Sequence, residues 1–233
     1  MTKTALIVSH GQPSDPGQAE RALADLARRV GQHLPGWQVL SATLAQTGAL
    51  AAAVAGRGPG VVYPMFMAGG WFPTVELPRR MAEAGAEGWV QHPPFGLDPG
   101  VQALAVRMAQ EAAAERGQAA GETAVLLAAH GSFRSPAPSE VARALAGRLA
   151  GEGFAPVKAC FIDQEPRIAQ ATGFGPRSIC LPFFAAEGGH VTDDLPAALA
   201  EAGFEGRVLP TLGLDPRVPG LIAAALSATA GLA

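Results

Sequence analysis

Apolar residues along this chain fall into short aliphatic runs separated by helical periodicities, and the whole arrangement occurs twice. Residues 4–9 and 124–129 are too short for helices and rich in aliphatic side chains, which predicts buried parallel strands. A polar turn comes after each. Apolar positions then recur at helical spacing, as Leu23, Leu26 and Val30 in the first half and Val141, Leu145 and Leu149 in the second. Second strands are predicted over 38–44 and 157–162, short helices over 48–55 and 167–171, and third strands over 61–66 and 178–184. Pro64 and Pro182 lie inside the third strands, and a residue without an N–H should end or distort the ladder there. Gly-rich turns then open helices over 74–84 and 192–202, with Thr74 and Thr192 as N-caps, acidic residues behind them, and Gly85 and Gly203 as stops. Each half ends with a strand, the phrase Gly-Leu-Asp-Pro and a last helix.

Strands alternating with helices predict an α/β fold of two similar lobes, each a parallel sheet flanked by helices, with a cleft between them. The expected lobes are residues 1–115 and 122–233. Ligands in such sheets sit beyond the carboxyl ends of the strands. His10, His130, Glu187 and His190 all fall just after predicted strands.

Aligning the halves exposes an asymmetry. Ala-Leu-Ile-Val-Ser-His-Gly at 5–11 matches Val-Leu-Leu-Ala-Ala-His-Gly at 125–131, so His10 and His130 correspond. Tyr63 to Gly85 matches Leu181 to Gly203 at a constant offset of 118. Within it, Gly69 and Phe72 stand where the second copy has Glu187 and His190, and Thr47 stands where it has Glu165. One working centre is therefore expected, in the second half. Two histidines with a carboxylate can hold a borderline divalent ion and leave positions open for exchange. His33, near a helix end, and His92, before Pro93-Pro94, stand outside the pattern and are read as structural.

Composition narrows the choice by exclusion. The net charge of −3, without a basic run, argues against nucleic acid, and an anionic ligand would need a local group of arginines. Cys160 and Cys180 lack metal-ligand spacing and read as buried reduced thiols. No apolar run approaches the ~20 residues of a membrane span, and the first residues lack a signal-peptide pattern, so a cytoplasmic protein without a membrane partner is expected. The glycine turns match neither GxGxxG nor GxxxxGK[ST], and Ser132 is not in a GxSxG elbow, which disfavours nucleotide binding and serine hydrolysis.

The phrases Ala129-His130-Gly131-Ser132-Phe133-Arg134, Phe161 to Pro166, and Leu181 through Glu187-Gly188-Gly189-His190 to Pro196 resemble the class II tetrapyrrole chelatases, the CbiX/SirB group of sirohydrochlorin chelatases. The first half resembles them more loosely, through Ser9-His10-Gly11 and 63–78. The resemblance implies ATP-independent insertion of a divalent metal, Co²⁺ or Fe²⁺ with Ni²⁺ as a third candidate, into sirohydrochlorin for cobalamin or siroheme synthesis. The metal would be a substrate, with no permanently bound cofactor. It implies His130 and His190 as the metal-handling pair, with Glu187 and Glu165 assisting. Arg134, His10, Trp71 and Phe72 are expected to contact the tetrapyrrole. A carrier or interaction protein of the same fold is the alternative. The internal repeat favours a monomer, since it can replace a homodimer interface.

Overall fold

The computed structural model describes residues 2–230. The first half contains β1 (Lys3–Ser9), α1 (Pro16–Gln32), β2 (Trp37–Thr43), α2 (Ala49–Val54), β3 (Val61–Pro64), α3 (Leu77–Glu83), β4 (Val90–Gln91) and α4 (Pro99–Ala114). The second half repeats the plan with β5 (Val125–Ala129), α5 (Ala137–Gly151), β6 (Val157–Phe161), β7 (Ile179–Pro182), α6 (Leu195–Glu201), β8 (Arg207–Val208) and α7 (Val218–Ala230). Two four-stranded, all-parallel sheets result, ordered β2-β1-β3-β4 and β6-β5-β7-β8. Strand register fixes the repeat. Ala5 pairs with Val39 and Val61 as Val125 pairs with Val157 and Ile179. Corresponding positions are thus 120 residues apart in β1 and β5, and 118 apart in the two strands flanking each.

Both faces of each sheet are covered, as successive strand residues point to opposite sides. Leu6 and Val8 pack in one cluster with Leu50, Val54, Leu77 and Met81 from α2 and α3. Ala5 and Ile7 are equally buried, on the alternate face of the strand. In the second sheet Leu126, Ala128, Cys160 and Cys180 pack with Leu195 and Leu199 of α6. Both cysteines are buried and unpaired, and burial pushes the Cys180 thiol up to about 12. Leu6, Ile7, Leu126 and Leu127 are fully buried. Each contributes about 1.5–3 kcal/mol relative to exposure, against about 1 kcal/mol for a helix cap, so the sheet cores dominate over local end signals.

Three expectations are corrected. The first concerns Thr74 and Thr192, which are not N-caps. Helical backbone begins two residues earlier, in single π turns over Phe72–Glu76 and His190–Asp194, where the N–H of Leu77 reaches the Phe72 carbonyl and that of Leu195 reaches His190. The threonine hydroxyls instead donate back to the carbonyls of Gly70 (2.8 Å) and Gly188 (3.3 Å), four residues upstream. The second concerns residues 167–171, which make only a 3₁₀ turn, Ile168–Gln170, because Arg167 is extended. Third, the compact units do not follow the two halves: one comprises the residues up to Asp98 and those from Pro216 onward, the other Pro99–Asp215. The reason is that α7 packs on α1 and β3, whereas α4 packs on α5 and β7. The units have exchanged their last helices. Among the described residues, no helix is long and apolar enough to cross a membrane.

Candidate functional site

The chain leaves β5 at His130, and the next residue locks the exit. Gly131 has φ +76°, and a Cβ there would lie 2.6 Å from Gln164 Cγ and 3.0 Å from Phe161 Cβ, so only glycine fits. Gln164 in turn accepts the Ser132 N–H through Oε1 at 2.7 Å. Sheet-like bonding continues past the strand ends, from Ile162 N to the Ala129 carbonyl and from Asp163 N to the His130 carbonyl (2.9 Å). That register sets Asp163 beside His130, with Oδ2 3.5 Å from Nε2.

His190 arrives from the third strand of the sheet. Phe183 and Phe184 anchor the end of β7 in the core. The Gly-Leu-Asp-Pro phrase braces the chain just beyond them: the Gly213 N–H donates to the Phe184 carbonyl at 3.0 Å. A Cβ on Gly213 would collide with the Ala185 carbonyl. The Gly188-Gly189 turn then opens the π turn with His190 at its first position. Single π turns of this kind recur at functional sites.

The two imidazoles meet edge to face, centroids 4.2 Å apart, with Nε2 of His130 2.8 Å from Nε2 of His190. Their other nitrogens determine the protonation. His130 Nδ1 lies 2.7 Å from the Gly131 carbonyl, and His190 Nδ1 lies 2.7 Å from Asp194 Oδ2. A carbonyl and a carboxylate only accept, so both Nδ1 atoms carry hydrogen. Two Nε2 lone pairs are left facing each other, an arrangement that a shared proton or a cation satisfies. Nitrogens bound at about 2.0–2.1 Å to one ion at right angles would stand about 2.9 Å apart, close to the separation present. Both rings are partly solvent-exposed, so an ion can enter and leave. Among the described residues no three His, Cys, Asp or Glu side chains form a complete cage, and the pair is open-sided.

The first half keeps the scaffold and one imidazole but not its partner. His10 follows β1, and Phe72 opens the equivalent π turn; their rings are 4.4 Å apart. Phe72 also contacts Phe66 and Trp71, and Trp71 is 56% exposed. Glu76, at the position of Asp194, is turned to Arg79 (2.8 Å) and Arg80 (2.6 Å), whose guanidiniums hold its carboxyl down to about 2. Arg80 also donates to the Leu44 carbonyl at 2.6 Å. Partial burial, helped by Arg80, keeps the His10 imidazole below its usual pKa. Ala45 stands where the second copy has Asp163, with the same backbone bond, from Ala45 N to the His10 carbonyl.

The carboxylates beside the imidazoles are therefore not the two expected. Glu165 faces Arg167, accepting its backbone N–H at 3.2 Å and pairing with its Nε at 3.5 Å. Glu187 is exposed and bonds to no described residue. Asp163 and Asp194 occupy those places. Their signals were in the sequence: the halves differ at 45 and 163, and His190 and Asp194 have the i, i+4 spacing of helical neighbours. Arg134 is exposed on the loop after His130, its backbone N–H on Ser132 Oγ at 3.1 Å. His33 stays outside the site, while His92 stacks on the buried Tyr63, whose hydroxyl donates to Asp98 at 2.8 Å.

Comparison with solved structures decides the kinship. CbiX, described as the terminal enzyme of siroheme biosynthesis in denitrifying bacteria, is 49% identical over 97% of this chain and 99% of its own, with a TM-score of 0.89. The chain belongs to the CbiX family. The family's sequence profile, CbiX, matches residues 124–229 of this CbiX-family chain, the stretch that contains the imidazole pair. Two remoter structures share the CbiX fold. SirB from Bacillus subtilis with Fe³⁺ is 17% identical over 99% of this chain and 96% of its own, with a TM-score of 0.74. The sirohydrochlorin chelatase SirB from Bacillus subtilis subspecies spizizenii in complex with cobalt is 17% identical over the same shares, with a TM-score of 0.69. No curated protein matches the chain.

Proposed function

We propose that this chain inserts a divalent metal ion into sirohydrochlorin without ATP, and that Fe²⁺, for siroheme, is its principal metal. The observation that carries the reading is the pair of converging Nε2 lone pairs on His130 and His190, each fixed by a partner on its Nδ1. The CbiX of denitrifying bacteria, nearly half identical, is described as a siroheme enzyme, which favours iron over cobalt. Co²⁺ and Ni²⁺ suit the same nitrogen and oxygen donors.

Insertion exchanges two pyrrole N–H protons for one metal ion. His130 and His190 hold the ion by Nε2, leaving its other positions for the macrocycle nitrogens. Asp194 and the Gly131 carbonyl keep the rings in the one tautomer that can do so. As the ion passes to the macrocycle, both Nε2 atoms become free bases beside the departing protons, with Asp163 next to them as a further acceptor. Arg134 supplies a charge for the substrate carboxylates. The protein acts as a monomer in the cytoplasm.

Sirohydrochlorin absorbance followed with Fe²⁺, Co²⁺ and Ni²⁺, with and without protein, tests this. Accelerated insertion that disappears in His130→Ala and in His190→Ala, and persists in His10→Ala, is expected. The opposite pattern refutes the assignment of the site. Tight binding of sirohydrochlorin with no acceleration for any metal would make the protein a carrier instead.

A further inference from the structure

Phe133 is the most exposed large apolar side chain among the described residues, at 75%. It lies three residues beyond His130, so its Cα is within roughly 11 Å of that of His130 by whatever course the loop takes. A cation lies over its ring: the guanidinium carbon of Arg167 is 5.8 Å from the centroid. Arg167 is itself fixed, donating from Nη1 to the Ile162 carbonyl at 3.0 Å, and Ile162 adjoins Asp163. Beside Phe133, the Arg134 side chain bonds to no described residue.

The repeat supplies independent evidence. With the offset of 120 for the loop after β5, Phe133 and Arg134 correspond to Pro13 and Ser14. With the offset of 118 for the segment after β6, Arg167 corresponds to Ala49. The aromatic ring and both guanidiniums thus occur only in the copy that keeps the imidazole pair. Folding does not account for Phe133, because a ring left in water contributes little to a core.

We propose that Phe133, backed by Arg167 and flanked by Arg134, is the seat for the substrate macrocycle, taking a flat conjugated ring that carries carboxylates at its edge. This rests on the chelatase reading above. A conjugated ring stacks on Phe133, the cation on the opposite face of that ring strengthens the stack, and edge carboxylates pair with the guanidinium of Arg134. The three side chains fix where the macrocycle sits relative to the imidazole pair.

The test is titration of metal-free protein with sirohydrochlorin, followed by absorbance, at several salt concentrations. Phe133→Ala should weaken binding about five- to tenfold at every salt concentration, and Phe133→Trp should restore it. Arg134→Gln should weaken binding at low salt and flatten its salt dependence. Co²⁺ binding without tetrapyrrole should be unchanged in all three variants, which shows that they are folded. Wild-type affinity in Phe133→Ala, with Co²⁺ binding intact, overturns the proposal and leaves the chelatase reading standing. Failure of the wild-type protein to bind sirohydrochlorin at all removes both.

Discussion

Removing the Asp194 carboxylate separates the tautomer argument from mere proximity of two histidines. Asp194 accepts the His190 Nδ1–H at 2.7 Å and touches neither Nε2 partner directly. In Asp194→Ala, His190 is free to place its hydrogen on Nε2, which buries the lone pair meant for the metal. Loss of such a supporting partner costs about 10–100-fold in metal affinity. The side chains of His190 and Asp194 are 49% and 51% exposed, so water replaces part of the lost bond. The loss should fall near tenfold, or about 1.4 kcal/mol. Asp194→Asn retains an oxygen that accepts the same hydrogen and should lose only part of this. Calorimetric titration with Co²⁺ reads the affinity, and insertion rates at subsaturating metal should fall in proportion. Unchanged Co²⁺ affinity in Asp194→Ala, with affinity lost in His190→Ala, would refute the reasoning. Equal losses in the Asn and Ala variants would show that charge, not tautomer, is what Asp194 supplies.

Two further outcomes are expected. Phe72→His should give the first half a second, weaker Co²⁺ site, because the His10–Phe72 rings are spaced much like those of His130 and His190. Its affinity should be about 10–100-fold below that of the native site, since Glu76 is engaged by Arg79 and Arg80 instead of orienting an imidazole. A titration that still ends at one Co²⁺ per folded chain at millimolar metal contradicts this. Glu76, with its pKa depressed to about 2, contributes stability that is complete above the usual carboxylate range and is lost as pH falls through about 2. Urea midpoints should therefore place Glu76→Gln below wild type at pH 7, with the gap closing on acidification; a gap independent of pH would rule out the charged pairing.

Strands were legible because each is a short aliphatic run that appears twice, and β3 and β7 each finish at a proline, Pro64 and Pro182, although the next residue still donates to the central strand. The π turns were not. A threonine followed by acidic residues looks like a cap, and nothing local reveals that the backbone is already wound two residues earlier. The paired histidines were legible from the asymmetry of the repeat. Which carboxylates lie against them was not legible, because position after a strand, which Glu165 and Glu187 share, fixes the sheet edge and not where a side chain points. Asp163 is placed by a backbone bond to the His130 carbonyl, and Asp194 by one turn of helix. The helix exchange left no local trace, since α4 and α7 come after the same phrase and would read alike in either unit.

That exchange has a bearing on how the protein is made. The unit containing β1 to β4 lacks a helix until residues beyond Pro216 have been synthesised, so its sheet must wait for them with the face beneath α7 uncovered. The unit with the imidazole pair, Pro99–Asp215, is continuous in sequence and is complete earlier. A chain cut after Asp215 would thus strip the β1–β4 unit of its last helix and leave the Pro99–Asp215 unit, with the imidazole pair, whole in sequence.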